Sequence, residues 1–188
     1  MNQQQLQDIV SQALDYAKRI GADCADAIIS EECGFAVSSR KGDVEEIEYH
    51  QEQGFGISVY QGKRSASVST TEFSQAAINA VIDKAMSITQ YTDEDPYAGL
   101  ADKSVLAFNY PDLDLFHHWD LETHQAAQMA IECDTIAREQ DARITDAEGA
   151  SVSTYSGLRV YSNTTGFIGG YRSSYHNISC SVIAKEGE

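Results

Sequence analysis

Between Gly54 and Tyr60 the chain alternates strictly. Phe55, Ile57 and Val59 occupy every second position, and Gly54, Gly56 and Ser58 fill the places between. Neighbouring side chains of a strand point to opposite faces, so this stretch belongs in a sheet with one packed face and one bare or polar face. Residues 25–30, 34–40, 43–50 and 63–69 read as further strands. Lys41-Gly42 and Gln61-Gly62 supply turns between them.

Helices flank these strands. Leu6, Ile9, Val10, Ala13, Leu14 and Ala17 recur at steps of three and four, which predicts an amphipathic helix over residues 3–20 that stops at Gly21. Thr70 or Thr71 is placed to cap a second helix over residues 72–90, with Phe73, Ala77, Ala80, Val81, Ala85 and Ile88 inward. Asp120 is placed to cap a third, to about residue 139, with Ala126, Ala127, Ala130, Cys133 and Ala137 inward.

From Ile144 the pattern returns to strands, at residues 152–155, 158–162 and 170–185, turning at Ser156-Gly157 and Thr165-Gly166. In the last of them Ile178, Cys180, Val182 and Ala184 share a face. The order helix, strands, helix, helix, strands gives an α+β fold, not a parallel βαβ sheet. The expected organisation is an antiparallel strand meander with flanking helices over residues 1–140. The start of a second β-rich unit follows over 141–188 and reads as truncated.

The second and third helices are joined by an acidic stretch. Asp95-Pro96 forces extended backbone and Gly99 permits a turn. From Tyr91 to Glu122 there are eight acids and one base, Lys103, with Phe108, Tyr110, Leu113, Leu115, Phe116 and Trp119 among them. This predicts an extended strap whose apolar side chains pack on the domain while its acids face water.

Charge narrows the function. A formal charge of −16 repels nucleic acid and anionic lipid, and the basic residues fall in isolated pairs, such as Lys18-Arg19 and Lys63-Arg64. Direct nucleic-acid binding is therefore not expected. Cys24, Cys33, Cys133 and Cys180 form no C-x-x-C pair, which suits reduced thiols in the cytoplasm. The first residues lack a basic n-region and an apolar h-region, so no signal peptide is expected. No apolar run reaches the ~20 residues of a membrane span.

Hydrolytic and nucleotide signatures are missing. Gly54-Phe55-Gly56 has no third glycine in register, and neither a G-x-S-x-G elbow nor a P-loop occurs. His117, His118 and His124 form the one histidine cluster, with Asp114 and Asp120 as conceivable carboxylate ligands. Phe116 and Trp119 bracket the pair, which favours a solvated approach to the third helix over a metal site. His176 and His50 read as strand neighbours. A different feature invites peptide contact. The Gly- and Ser-faced strands leave backbone open to an extended peptide, with Tyr155, Tyr161, Tyr171 and Tyr175 as flat contact area.

Four strings, in this order and spacing, resemble the peptidase-like TldD/PmbA family, and its PmbA (TldE) branch in particular. They are the first helix with Gly21-Ala22-Asp23, the Arg40-Lys41-Gly42-Asp43 turn leading to Gly54-Phe55-Gly56, the Asp95-Pro96 connector, and Ser162-Asn163-Thr164-Thr165-Gly166-Phe167. The resemblance spans nearly the whole chain. It implies a cytoplasmic subunit that pairs with a TldD-type metalloprotease in proteolysis and peptide maturation. Family members are also described as modulators of DNA gyrase, so a module acting on gyrase or toxin–antitoxin partners without proteolysis is the alternative. The TldD branch carries HExxxH, whose histidines bind zinc and whose glutamate activates water. This chain has no HExxxH, and the nearest string is His50-Gln51-Glu52-Gln53. No catalytic, cofactor-binding or metal residue carries over to any position here. Zinc or another divalent metal is expected only in the TldD-type partner.

Overall fold

A computed structural model describes residues 1–187. The elements run α1 (Gln3–Arg19), β1 (Cys24–Arg40), β2 (Asp43–Gln61), β3 (Arg64–Thr70), α2 (Gln75–Thr89), α3 (Thr123–Arg138), β4 (Ile144–Asn163) and β5 (Ile168–Ala184). A single 3-10 turn, Lys103–Val105, interrupts the connector between α2 and α3. Among the described residues the strands form one five-stranded sheet, ordered β3-β2-β1-β4-β5. β2 and β3 are antiparallel, with Phe55 opposite Thr70 and Gln61 opposite Arg64. The α+β meander with flanking helices is thus the observed fold.

Two compact units can be separated by packing. The first holds Met1–Glu31, Glu52–Asp114 and Leu158–Arg172, and the second holds Glu32–Gln51, Leu115–Gly157 and the chain from Ser173 onward. β1, β2, β4 and β5 each give a segment to both, so neither unit is one continuous stretch of sequence.

In the first unit, α1 forms where its periodicity places it. Asn2 accepts a hydrogen bond from the Gln5 N–H at 2.9 Å and donates its own N–H to the Gln5 side chain at 2.8 Å, a reciprocal cap of the free helix donors. Gly21 ends the helix at φ +104°, where a side chain would be strained. Leu6, Val10 and Leu14 then bury against Phe55, Ile57 and Val59 of β2 and against Ile78 and Ile82 of α2. Full burial of such side chains contributes about 1.5–3 kcal/mol each.

α2 departs from expectation. Thr70 stays in β3, residues 71–74 turn the chain, and Ser74 is the cap, accepting from the Ala77 N–H at 3.3 Å. The buried stripe is Ile78, Ile82, Ala85, Met86 and Thr89, so of the expected set only Ala85 is fully buried. The larger Ile and Met side chains fill the space over the sheet, and the smaller alanines rotate outward or to the margin.

In the second unit, α3 packs Ala126 and Ala130 on Val37 of β1 and Val152 of β4, as the sequence implied. It begins at Thr123 with Glu122 as cap, not Asp120; the Gln125 side chain accepts from the Glu122 N–H at 3.0 Å. Asp134 is buried on this helix, whereas Cys133 and Ala137 are only half-buried.

The strands are longer than expected. Residues 25–30 and 34–40 belong to one strand, as do 43–50 and 54–60, and Ser156-Gly157 is extended backbone inside β4. β1, β2 and β4 have strands on both sides, and those ladders outweigh local turn preference. The expected turn at Thr165-Gly166 is present, with Gly166 at φ +95°.

The strap covers less than expected. Within the first unit Phe108 meets Phe167 edge-on at 5.6 Å, yet Phe108 and Tyr110 are each still 44% exposed and Tyr97 is 94% exposed. The chain is tied down by hydrogen bonds more than by burial of its aromatics.

Candidate functional site

In the first unit the odd-numbered residues Ala25, Ala27 and Ile29 of β1 face the helices. The even positions, with Gly56, Ser58 and Tyr60 of β2 and Ser67 and Ser69 of β3, make the opposite face. On it lies an open depression of about 280 Å³ lined by Asp26, Ile28, Gly56, Ser58, Ser67 and Ser69, together with Ile57 and Val68. A polar chain crosses it. The Tyr60 hydroxyl donates to Asp26 Oδ2 at 3.3 Å, Ser58 also hydrogen-bonds Asp26, and Ser58 and Ser67 share a hydrogen bond of 2.9 Å. At Gly56 a methyl group would stand 3.4 Å from Ile28 Cγ2, so glycine keeps the floor of the depression low.

Burial pushes the Asp26 carboxyl above its usual range, and the hydrogen bonds from Tyr60 and Ser58 pull it partly back. Tyr60 is pushed up to about 12, first by burial and then by the neighbouring Asp26 carboxylate. The folded protein therefore keeps the phenolic proton where the unfolded chain, at an ordinary 10.0, has lost it. This contribution is intact below pH 10 and is lost as pH rises toward 12. Two pKa units correspond to about 2.7 kcal/mol, which solvent screening of a half-exposed ring reduces to roughly 1 kcal/mol. Urea midpoints measured from pH 8 to 12 should fall more steeply for the wild-type chain than for Tyr60→Phe. Parallel curves would contradict the pairing.

β3 ends the sheet, and among the described residues no loop backbone pairs with the backbone of residues 64–70. Next to it the Asp26 face presents hydroxyls and a carboxylate. This combination suits an extended polypeptide, whose main chain needs both donors and acceptors. It holds no histidine to activate a serine.

The histidines do other work. In the second unit His176 Nε2 donates to the His117 carbonyl at 2.7 Å, so its Nδ1 accepts from the Thr154 hydroxyl at 2.9 Å. Ser174 Oγ accepts from the His117 N–H at 2.8 Å and donates to the His117 carbonyl at 2.9 Å. Trp119 stands edge-on to His176 at 5.4 Å. These contacts fasten residues 115–119 along β5. His118 points to Asp120 at 4.0 Å, and His124 to Glu122 at 3.2 Å, each a local exposed pair. His50 lies within β2, 3.5 Å from Glu32 and edge-on to Tyr155 at 5.6 Å. Asp114, at φ +50°, donates its N–H to the Asp112 carboxylate at 3.0 Å. Among the described residues no three His, Cys, Asp or Glu side chains are grouped to hold a metal ion. No helix among them is long and apolar enough to cross a membrane.

The strand from Gly54 to Tyr60 is legible in the sequence, whereas its polar partner Asp26 is not among the residues that the sequence singles out. The available signal was an acid inserted among the small apolar residues 25–29. Of the four tyrosines expected as contact area, Tyr171 and Tyr175 are exposed, while Tyr155 and Tyr161 are half-buried.

Comparison with known proteins places both parts of the chain. Residues 25–89 match the PmbA/TldA metallopeptidase domain 1, and residues 116–188 match the PmbA/TldA metallopeptidase central domain. The chain is 40% identical over 181 residues to metalloprotease PmbA of Escherichia coli O157:H7, and 36% identical over 181 residues to a metalloprotease PmbA homolog of Haemophilus influenzae. Each alignment covers 96% of this chain and 40% of the relative, so the chain spans about two fifths of those proteins. A Bacteroides thetaiotaomicron crystal structure described as a candidate modulator of DNA gyrase superposes with a TM-score of 0.87 at 24% identity. That match covers 97% of this chain and 42% of the other, and it supports the fold.

Proposed function

The chain belongs to the PmbA/TldD family, and on that premise we propose that it is the N-terminal scaffold region of a PmbA/TldE-like subunit that pairs with a TldD-type metalloprotease. In this reading the partner carries zinc or another divalent metal and cuts unfolded peptides in the cytoplasm during peptide maturation. The present chain shapes the complex and supplies no hydrolytic group. The observation that carries the reading is the use of the histidines. Both ring nitrogens of His176 and the backbone of His117 are engaged in fastening the strap, so these residues serve the fold. Peptide is handled by strand addition at β3, with Ser67 and Ser69 of that strand beside the added chain. The charge of −16 argues against direct nucleic-acid contact.

The test is a mixture of this chain with a TldD-type metalloprotease, followed by light-scattering mass and cleavage of an unfolded peptide. A joint species and no cleavage by this chain alone are expected. Failure to associate, or peptide digestion by the isolated chain with stoichiometric metal, would overturn the proposal. A second reading, a protein-interaction module acting on gyrase or toxin–antitoxin proteins without proteolysis, draws on the description of the Bacteroides structure. Capture of gyrase in the absence of any TldD-type chain would favour it.

A further inference from the structure

The second unit brings two cysteines together from distant parts of the sequence. On α3, Ala126 and Ala130 rest on Val152 of β4, and Cys133 lies one helical turn beyond Ala130. On β5, His176 is bonded to Thr154 of β4 across the strand pair. Side chains alternate, so Cys180, four residues on, returns to the face that His176 and Thr154 share. Antiparallel pairing that sets 176 beside 154 sets 180 beside Ala150, two residues from Val152. Helix and strand therefore deliver Cys133 and Cys180 to one place as neighbouring thiols. Both are free thiols; Cys180 is exposed and Cys133 half-buried, so a small reagent can reach the pair.

We propose that Cys133 and Cys180 are a reversible redox pair that closes to a disulfide under peroxide and pins α3 to β5. One thiolate attacks the peroxide O–O bond, forming a sulfenic acid and releasing water. The second sulfur then attacks the sulfenic sulfur, the S–S bond forms, and a second water leaves. Two electrons pass from the two thiols to one hydrogen peroxide, and a small dithiol returns them by exchange. Burial, Cys133 and the Asp134 carboxylate all push the Cys180 thiol up, which keeps the reduced pair quiet toward weak oxidants. In the second unit β5 is the last strand of the sheet, and the bond would fasten its far half, where Ile178 and Val182 are exposed.

The test uses the full chain with Cys24→Ser and Cys33→Ser, which leaves only this pair. After treatment with equimolar hydrogen peroxide and denaturation, titratable thiols should fall from two to none at monomer mass, and dithiothreitol should restore both. In the wild-type chain, unreduced tryptic mapping should join peptide 104–138 to peptide 173–185 and leave Cys24 and Cys33 free. Cys180→Ser should abolish the joined peptide. Survival of both thiols, intermolecular dimers, or sulfinic acid without the joined peptide would each overturn the inference. The wild-type map decides the matter if the double variant does not fold.

Discussion

Gly149→Ala should be among the most damaging single-methyl changes in this chain, with an expected loss of more than about 3 kcal/mol. Gly149 sits in β4 at φ +106°, where an L side chain is strained. A Cβ there would also stand 2.1 Å from the Ser39 carbonyl oxygen and 3.2 Å from its carbon. Both atoms are backbone of β1, so no rotamer change relieves the clash. Either β1 and β4 separate locally or the backbone at 149 flips, and each loses ladder hydrogen bonds beside the buried Ala147, Ala150 and Val152. The measurement is a urea midpoint followed by far-ultraviolet circular dichroism. Gly54→Ala is the control, because a Cβ at Gly54 meets nothing within 4 Å; its effect should stay within about 0.5 kcal/mol. Equal stability of the two variants would mean that β1 and β4 do not approach closely at Gly149.

The same glycines show where sequence reading reached its limit. A glycine within a polar stretch signals a turn, and Lys41-Gly42 and Thr165-Gly166 are turns. Gly34 and Gly149 lie inside strands instead. At Gly34 a Cβ would be 2.1 Å from the Thr154 carbonyl, so its missing side chain lets two backbones meet. Nothing local distinguishes these two uses; the difference lies in which strand comes alongside. α1 was legible because its cap and its apolar stripe are both contained in residues 2–20. The end of α2 was legible, but its start and its buried face were not, because Thr70 was already committed to pairing with Phe55. The Gly and Ser face from Gly54 to Tyr60 could be read from alternation. Its partner Asp26 lies 34 residues away from Tyr60 and is brought there only by strand pairing. The histidine cluster was visible as composition, while its structural use runs through the His117 carbonyl, which sequence does not advertise.

Asp134→Ala should cost about 3 kcal/mol, because it removes the acceptor that joins α3 to the β1–β2 turn. The Asp134 side chain is fully buried, and its Oδ2 accepts from the Gly42 N–H at 2.8 Å and from Arg138 Nε at 3.2 Å. The turn it holds is demanding, with Lys41 at φ +56° and Gly42 at φ +87°. Alanine would leave the Gly42 donor without its partner and a small void beside Ala130. Arg138 is less at risk, since its side chain is 31% exposed and can turn to water. Most of the loss should therefore trace to the turn, and Arg138→Ala should cost clearly less than Asp134→Ala. Asp134→Asn separates charge from shape, since an amide oxygen can still accept from Gly42. If the asparagine variant holds within about 1 kcal/mol of wild type, the hydrogen bond to the turn is the dominant contribution. If it falls with alanine, the charge facing Arg138 matters more. Amide exchange at Gly42 reads the contact directly: protection should drop in the alanine variant and persist in the arginine variant. An alanine variant that keeps both its urea midpoint and its Gly42 protection would show that α3 is held by Ala126 and Ala130 alone.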